Sequence, residues 1–568
     1  MYRNMFALVS AAKKPPLFFF ILVSFTSFAQ LQPGCKISFG TNLGGLADYM
    51  TEMPFVDVMR HSRGWYTTDA TDGPFDTQLV DSVPMDSDGY PLEVPYVVAG
   101  KPQIIKTIWA NLSAWPVGNY TLLYDGDGDF SYFGNLAPVA QSPGKITLKY
   151  TLPTDPADPG VFELRITRSN PANRVRNMRL LMPGTETTYQ TQPFYGPFLQ
   201  KLTPFKALRF MDWGQTNNWG SADAQSGYDQ DQDTLRVAWA QRAQPSHATW
   251  ASPKGVPYEL MVDLCNQLNK DMWLCLPHNA SNEYIFQAAT LVKNRLKPNL
   301  KVYVEYSNET WNWMFGQAQW LNKFGKQDTP WPERIVPYIQ NAMDRWTEGF
   351  EPQMNRCVRV VAVQAAWQDV SNRVVFNMRP KSFDAFSPAA YFGLSDESDA
   401  ILDSLGANAT IADVAAEAQK SKILNEMGWM REQKRQIADS LKIPMLYYEG
   451  GQHLTPTPFG EEPTYANALV GIQRDESLYE LYNEWFDFLR SINTTSQPSL
   501  FMNFSFVSPR SARYGSWGIL ESITQDVNQL AAPKYKSIME QINACPACPP
   551  DDQRRCIGVQ ARKTNQRN

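Results

Sequence analysis

The 568-residue sequence has only four histidines, and no cluster of residues has the spacing of metal ligands. It contains neither a glycine-rich phosphate loop nor a dinucleotide-binding fingerprint. The net charge of −5 at pH 7 gives no indication of the positively charged surface that binds a nucleic acid. We therefore expect no metal, no cofactor and no nucleic-acid partner. The oligomeric state is left open.

Long apolar runs are equally scarce, and the only one lies near the N-terminus at residues 17–28. Lys13 and Lys14 precede this run and small residues follow it, but the run is too short to span a bilayer. This pattern is typical of a secretory signal peptide, assigned to residues 1–29, with an uncleaved anchor as the alternative. We expect a secreted protein, extracellular or periplasmic, with no membrane contact after cleavage.

The seven cysteines fall into two groups. Three lie in apolar helix or strand patterns and are predicted to be buried thiols: Cys265, Cys275 and Cys357. The other four lie near the two ends of the mature chain: Cys35, Cys545, Cys548 and Cys556. In an exported protein these four predict one or two disulfides of open pairing, with three of the cysteines in a C-terminal tail of residues 544–568. Half of a zinc site at Cys545 and Cys548 is the alternative, although no histidine lies nearby.

Short β-rich runs alternate with amphipathic helical patterns along most of the chain. The candidate strands are residues 36–41, 207–213, 272–277, 301–308, 358–365, 383–391, 444–449 and 500–507. The candidate helices are residues 256–268, 282–296, 411–441, 478–492 and 533–542. Strands that alternate with helices predict parallel βα units. Eight such strands predict an α/β fold, a closed (β/α)8 TIM barrel over residues 186–543.

One region breaks this alternation. Residues 92–185 lack a good helical pattern and instead contain period-two runs at residues 104–109, 120–124, 146–152 and 161–167. This pattern predicts a small antiparallel β-sandwich. If residues 30–91 hold the first barrel strand and a long loop, the sandwich is an insert in the barrel. The alternative is an N-terminal sandwich to which residues 36–41 belong.

The segment 302–313 combines a β-branched and aromatic strand with a polar and aromatic end. That end carries Asn308, Glu309, Trp311 and Trp313. A carboxyl can exchange a proton, an amide can hold a hydroxyl, and an indole can stack on a sugar ring. The segment is therefore typical of a carbohydrate site. A second candidate strand, residues 444–449, also ends on a glutamate, Glu449.

In a barrel of this kind, the chemistry lies at the carboxyl ends of the strands. Polar and aromatic side chains are concentrated there: Arg209, Trp213, His278, Asn279, Asn308, Glu309, Tyr391, Glu449 and Trp517. Two glutamates on opposite walls of one barrel mouth are the groups that glycoside hydrolysis requires, one as an acid and one as a nucleophile or base. Either glutamate alone would be read as a solvated loop residue, but the pair beside Asn308 favours catalysis.

The barrel with these two glutamates resembles the glycoside hydrolases of clan A, over residues 190–542. In that clan an Asn-Glu pair ends strand four and its glutamate is the general acid/base, while a glutamate ending strand seven is the nucleophile. The resemblance implies that Glu309 is the acid/base, that Glu449 is the nucleophile, and that Asn308 binds the sugar 2-hydroxyl. It implies a retaining O-glycosyl hydrolase (EC 3.2.1-type) that cleaves a β-linked poly- or oligosaccharide.

The same resemblance implies roles for four other residues: Tyr391 orients the nucleophile, Arg209 lies near it, and His278 and Trp517 line the subsite of the cleaved sugar. We also predict substrate contacts for Asn279, Trp213, Trp311 and Trp313. His278 as a core histidine, and Trp311 and Trp313 as helix-packing residues, are the alternatives. The particular family, the sugar and the linkage are not predicted.

The two glutamates need different pKa values for these roles. We expect burial and the neighbouring carboxylate to raise the pKa of Glu309, and Arg209 and Tyr391 to hold Glu449 ionised. Glu305 precedes Glu309 by four residues, so it should lie deeper in the barrel as a buried partner of Arg209.

Two other classes of protein compete with an enzyme. The first is a carbohydrate-binding protein on the same barrel that has lost its activity, although retention of both Glu309 and Glu449 argues against it. The second is a surface adhesin or matrix protein that uses the barrel only as a scaffold. The lack of internal repeats weakens that interpretation.

Overall fold

The computed structural model describes residues 35–71, 73–155, 157–217 and 237–544. The predicted signal peptide, Trp219, and the three C-terminal cysteines Cys545, Cys548 and Cys556 lie outside the described residues. The three predicted thiols are free and buried, which confirms that prediction: Cys265, Cys275 and Cys357. Cys35 forms a disulfide bond. Within the described residues, no helix is both long enough and apolar enough to cross a membrane.

The strands are β1 (Ile37–Asn42), β2 (Tyr66–Asp69), β3 (Tyr96–Val98), β4 (Lys101–Trp109), β5 (Asn119–Asp125), β6 (Gly128–Gly134), β7 (Leu136–Ser142), β8 (Lys145–Tyr150), β9 (Phe162–Ser169), β10 (Arg176–Leu181), β11 (Ala207–Arg209), β12 (Asp271–Leu276), β13 (Val302–Tyr306), β14 (Cys357–Val363), β15 (Ala385–Pro388), β16 (Ala390–Gly393), β17 (Gly450–His453) and β18 (Ser499–Asn503).

The α-helices are α1 (Gly196–Leu202), α2 (Tyr258–Leu268), α3 (Asn282–Arg295), α4 (Gly316–Phe324), α5 (Val336–Phe350), α6 (Gln368–Val375), α7 (Asp396–Leu405), α8 (Ile411–Ser421), α9 (Met427–Gln433), α10 (Asp439–Leu441), α11 (Ala466–Gly471), α12 (Glu476–Ile492) and α13 (Pro533–Ala544). Two π-helical segments, Lys422–Glu426 and Lys434–Ala438, join α8, α9 and α10.

A parallel sheet of seven strands forms the wall of the barrel, in the order β15-β14-β13-β12-β11-β1-β18. Residues 444–449 lie between the two end strands. The Leu446 N–H donates to Phe386 of β15 at 2.9 Å, and the Tyr447 N–H donates to Leu500 of β18 at 2.9 Å. These bonds make the segment the seventh of eight parallel strand positions, which closes the predicted (β/α)8 barrel.

The barrel strands are buried on both faces because the helices cover them. Every residue of β12 and β13 is buried, so these strands are nearly continuous apolar runs rather than alternating ones. The helix α12 buries residues at helical spacing, including Leu478, Leu481 and Trp485. Each large apolar side chain contributes about 1.5–3 kcal/mol when it is fully buried.

Two antiparallel sheets lie in the chain between β1 and β11. One has the order β10-β5-β8-β7, and the other has the order β2-β4-β9-β6, with β3 paired to β4. Their strands begin at Tyr66, earlier than residue 92, and β1 pairs in parallel with both β11 and β18. A ring contact of 4.7 Å between Tyr124 of β5 and Phe130 of β6 connects the two sheets.

The connection between β1 and the antiparallel sheets packs against the barrel through Phe55. Its ring lies 5.4 Å from Trp213 and 4.9 Å from Trp250. The strand β11 ends at Arg209 rather than at residue 213, since residues 211–215 form a turn. Trp213 therefore points into this aromatic core and not along a strand into the barrel mouth.

Candidate active site

A sharp turn after β13 positions Asn308 and Glu309. The residues on either side of Asn308 have left-handed backbone, with φ of +56° at Ser307 and +42° at Glu309. Such a conformation costs an L-residue about 1–2 kcal/mol. The turn places the buried Asn308 side chain beside Arg209, with an oxygen-to-nitrogen distance of 2.8 Å, and the partly buried Glu309 side chain in the barrel mouth.

Glu309 accepts two hydrogen bonds from side chains. The Tyr448 hydroxyl donates to its Oε1 at 2.9 Å, and the Asn312 amide donates to its Oε2 at 2.7 Å. The Glu309 charge also acts on Glu449 and raises its pKa. The two glutamates at the ends of the fourth and seventh strands are thus close enough for their charges to interact.

Arg209 lies beneath this pair and is completely buried. Its Nη1 is 3.4 Å from Glu449 and donates to the amide oxygen of Asn42 at 2.9 Å. Its Nη2 is 2.9 Å from Glu305, which confirms the prediction that Glu305 is a buried partner of Arg209. The guanidinium therefore divides its charge between two carboxyl groups, and Glu305 is the nearer of the two.

Glu305 has further donors that keep it in place. The Trp273 indole N–H donates to its Oε2 at 2.8 Å, and the Cys275 thiol lies 3.5 Å from the same oxygen. Glu305 is thus part of a buried hydrogen-bond network below the barrel mouth. Breaking one partner of such a network leaves the other groups unsatisfied in a low-dielectric interior.

Glu449 has a pKa that its surroundings push in opposite directions. Burial raises the pKa of Glu449 well above its usual range, and the Glu309 charge raises it further, although Arg209 opposes both effects. Arg209 lies 3.4 Å from Glu449 but 2.9 Å from Glu305, so Glu305 takes the closer position on the cation. That Arg209 and Tyr391 hold Glu449 ionised stays a prediction.

Two tyrosines stand beside the carboxyl pair. The pKa of Tyr391 and the pKa of Tyr448 both rise well above their usual value, mainly through burial and then through the negative charge of Glu309 and Glu449. Both hydroxyls therefore stay protonated and can act as hydrogen-bond donors. The Arg209 guanidinium also lies 5.0 Å from the ring centre of Tyr448.

A cavity of about 560 Å³ opens above Glu309. It is lined by aromatic, polar and small side chains from the ends of the fourth to seventh strands and from the segment around α9: Glu309, Trp311, Asn312, Trp313, Gln364, Ala365, Ala366, Trp367, Ala389, Tyr391, Gly393, Leu394, Glu426, Trp429, Met430, Tyr448 and His453. Four of the predicted site residues are among them, namely Glu309, Trp311, Trp313 and Tyr391. Glu449 does not line the cavity itself.

The other predicted site residues lie outside this cavity lining. His278 and Asn279 are fully buried after β12, and the His278 ring packs 5.3 Å from Trp320. The Trp517 ring packs 6.2 Å from Tyr391 and 4.9 Å from His453, two residues that line the cavity. The contact predicted for Trp213 was wrong within the described residues, because its indole is fully buried in an aromatic core.

Several residues of the site were not singled out from the sequence. Tyr448 precedes Glu449 directly, and its position beside a strand-end glutamate was the available signal. Trp429 and Glu426 come from residues 411–441, which have the pattern of a plain barrel helix. The π-helical segment before α9 is not visible in a hydrophobic period, so no sequence signal pointed to these two residues.

Comparisons with known proteins return only remote similarities. No protein-family model and no curated protein matches the sequence. Among solved structures, a family GH51 arabinofuranosidase from Xanthomonas axonopodis pv. citri matches at 13% identity over 59% of this chain and 64% of that chain, with a TM-score of 0.31. This chain thus spans less than two thirds of that enzyme.

Two other solved structures that match are also glycosidases. An endo-beta-1,4-mannanase from Thermotoga petrophila has 10% identity over 61% of this chain and 72% of that chain, with a TM-score of 0.32. A beta-glycosidase from Pyrococcus horikoshii has 10% identity over 63% of this chain and 85% of that chain, with a TM-score of 0.33. Similarities this low carry no argument, and the assignment of a function therefore depends on the geometry of the site. Within the described residues, no group of three His, Cys, Asp or Glu side chains is placed to hold a metal ion.

Proposed function

We propose that this protein is a glycoside hydrolase with Glu309 and Glu449 as its catalytic pair. The observation that carries the proposal is the placement of the two glutamates at one mouth of a (β/α)8 barrel, where their charges interact beside an aromatic cavity that Glu309 lines. Paired carboxyls in one barrel mouth are the groups that protonate a glycosidic oxygen and attack an anomeric carbon.

The reaction proposed is a retaining double displacement, in which the second glutamate is the nucleophile. Inverting enzymes separate their carboxyls by about 6.5–9.5 Å to admit a water, whereas retaining enzymes hold them about 5–5.5 Å apart. The interaction between the Glu309 and Glu449 charges supports the closer arrangement. Glu449 attacks the anomeric carbon, while Glu309 gives its proton to the leaving oxygen.

The surroundings of Glu449 suit the first step, formation of the glycosyl–enzyme bond, and those of Glu309 suit the second step, its hydrolysis. When a sugar separates the pair, Arg209 at 3.4 Å stabilises Glu449 as a carboxylate, and the proton passes to Glu309. Once the glycosyl–enzyme bond forms, Glu449 is neutral and Glu309 must act as the base. The donors Tyr448 and Asn312 then stabilise the ionised form of Glu309.

The substrate in this proposal is a β-linked poly- or oligosaccharide. Trp311 and Trp313 offer aromatic surface in the cavity. The role of Asn308 at a sugar hydroxyl stays a prediction, since its amide is buried between Arg209 at 2.8 Å and Asn217 at 3.0 Å. We also interpret the two antiparallel sheets as a β-sandwich beside the barrel. Export follows from the signal-like sequence at residues 1–29, and a disulfide at Cys35 fits an oxidising compartment.

The experiment measures reducing-sugar release over a panel of plant, algal and microbial glycans, for the wild type, Glu309→Gln and Glu449→Gln. We expect wild-type activity on at least one β-glycan and a loss of about 10³-fold or more in either variant. NMR of the first product should show the β-anomer, because two inversions retain the configuration.

Three outcomes contradict the proposal. A wild type that binds a glycan but cleaves none shows a carbohydrate-binding protein instead. A variant with unchanged rate shows that the catalytic pair is wrongly assigned. An α-anomer as first product shows an inverting reaction.

A further inference from the structure

A second acidic group lines the cavity, at a distance in sequence from the catalytic pair. Glu426 ends the π-helical segment Lys422–Glu426, and its carboxyl accepts a hydrogen bond from the Ser421 hydroxyl at 3.1 Å. The neighbouring Lys422 ammonium is committed elsewhere, because it pairs with Glu484 at 2.9 Å. Within the described residues, no ion pair neutralises Glu426.

The cavity wall has no compensating positive charge. No lysine or arginine is among the described residues that line it. The pKa of His453 is lowered by burial, so its imidazole is neutral near pH 7. Arg209 lies beneath the floor, where Glu305 and Glu449 already share its charge. The electrostatic potential inside the cavity is therefore negative.

Two exposed indoles line the same cavity as Glu426. The Trp367 side chain at the end of the fifth strand is 51% exposed, and Trp429 of α9 is 36% exposed, although both line a cavity. An indole face that is open to a cavity stacks on the C–H face of a pyranose. A carboxylate accepts charge-assisted hydrogen bonds from sugar hydroxyls.

We propose that Glu426, Trp367 and Trp429 form a further sugar subsite that selects an uncharged sugar unit and rejects a carboxylated or sulfated one. This inference rests on the proposed glycosidase function. It goes further by giving the substrate class, a neutral β-glycan, and by naming the residue that excludes anionic glycans.

The charge of Glu426 has a measurable consequence. One unit of like charge a few ångströms away should lower kcat/KM for an anionic unit by about tenfold at low ionic strength, and salt should reduce the effect. Burial raises the pKa of Glu426, so this carboxyl loses its charge at a higher pH than usual. The discrimination should weaken as the pH falls through that raised pKa and strengthen as the pH rises.

The test uses a neutral β-glucan, β-mannan and β-galactan, and the same three polymers after chemical oxidation of their primary hydroxyls to carboxylates. The measured quantity is the ratio of kcat/KM for the neutral polymer to that for its oxidised form. Wild type should cleave a neutral polymer with a ratio well above ten. Glu426→Gln keeps the shape and removes the charge, so it should lower the ratio by about tenfold at low salt.

Glu432→Gln is the matched control. Glu432 lies in α9, which directly follows the π-helical segment that ends at Glu426, but it is partly exposed and pairs with Arg435 at 2.5 Å. Its loss removes an equal charge from a nearby position without changing the cavity lining, so the ratio should stay at the wild-type value. A third variant, Trp429→Ala, should raise KM for the neutral polymer with little change in the charge ratio.

The outcomes separate this inference from the proposed function. If wild type prefers an oxidised polymer, or if Glu426→Gln leaves the ratio unchanged, the subsite is wrong while the glycosidase function stands. If Glu432→Gln changes the ratio as much as Glu426→Gln, the effect is long-range and the subsite is also wrong. If none of the six polymers nor any glycan of the wider panel is cleaved, the proposed function itself fails.

Discussion

Arg209 lies 2.9 Å from Glu305 but 3.4 Å from Glu449. This difference matters because a guanidinium stabilises most the carboxylate that it contacts most closely. Arg209 thus stabilises Glu305, in the structural network, more than it stabilises Glu449, the proposed nucleophile. Burial and the charge of Glu309 raise the pKa of Glu449, and Arg209 lowers it from the more distant of its two carboxyl contacts.

Replacing Glu305 by glutamine should shift the charge of Arg209 toward Glu449. The pKa of Glu449 should then fall, and the acidic limb of the kcat/KM profile should move to lower pH. Loss of the buried partner should also cost about 3 kcal/mol of unfolding free energy, measured in urea. A limb that stays in place or moves to higher pH would show that Glu305 does not control Glu449.

The control for that substitution is Glu476→Gln. Glu476 pairs with Lys536 at 2.9 Å on the surface, where both side chains are exposed. An exposed pair contributes at most about 1 kcal/mol. Neither the stability nor the pH profile should change appreciably.

Tyr448→Phe removes the hydroxyl that donates to Glu309. We expect kcat to fall by about tenfold or more, because the ionised base form of Glu309 loses a donor. The adjacent variant Tyr447→Phe is the control, since the Tyr447 hydroxyl contacts Asn493 at 2.8 Å outside the cavity. Equal kcat values for Tyr448→Phe and Tyr447→Phe would show that the Tyr448 hydroxyl has no role in catalysis.

Two tryptophan substitutions separate the cavity from the core. Trp313 lines the cavity and is 44% exposed, so Trp313→Ala should raise KM while the unfolding free energy changes by about 0.5 kcal/mol or less. Trp213 is fully buried, so Trp213→Ala should cost about 3–5 kcal/mol. Trp213→Phe is a more conservative substitution. If it raises KM without lowering the unfolding free energy, Trp213 does contact the substrate.

The stability of the fold should depend on pH through Glu52. Burial raises the pKa of this carboxyl to about 8, although it accepts a hydrogen bond from the Gly44 N–H at 3.0 Å. The folded state therefore binds a proton that the unfolded state releases near pH 4.5. Stability should fall as the pH rises from about 4.5 to about 8.

Glu52→Gln tests this dependence by urea unfolding at pH 5 and pH 8. The amide keeps the shape without a titratable proton, so the variant should be more stable than wild type at pH 8, by about 2–4 kcal/mol. At pH 5 the two proteins should be similar. A variant that is less stable at pH 8 would mean that Glu52 is ionised in the folded state.

The sequence by itself determined the architecture and the place of the chemistry. Apolar runs alternating with amphipathic helices specify a barrel, because parallel strands must be covered on both faces. Glu309 and Glu449 follow two of those runs, and the carboxyl ends of parallel strands meet at one mouth. The partnership of Glu305 with Arg209 was likewise predictable, since both side chains belong to barrel strands.

Only the tertiary structure decided how the charges are shared and which residues complete the site. A pKa depends on burial and on distances between groups that are far apart in sequence, as between Arg209, Glu305 and Glu449. Trp213 and Trp313 have similar sequence surroundings, yet a turn buries one and a loop exposes the other. Glu426 reaches the cavity from a π-helical segment that the hydrophobic period does not reveal, because that period records which face is apolar and not what the polar face meets.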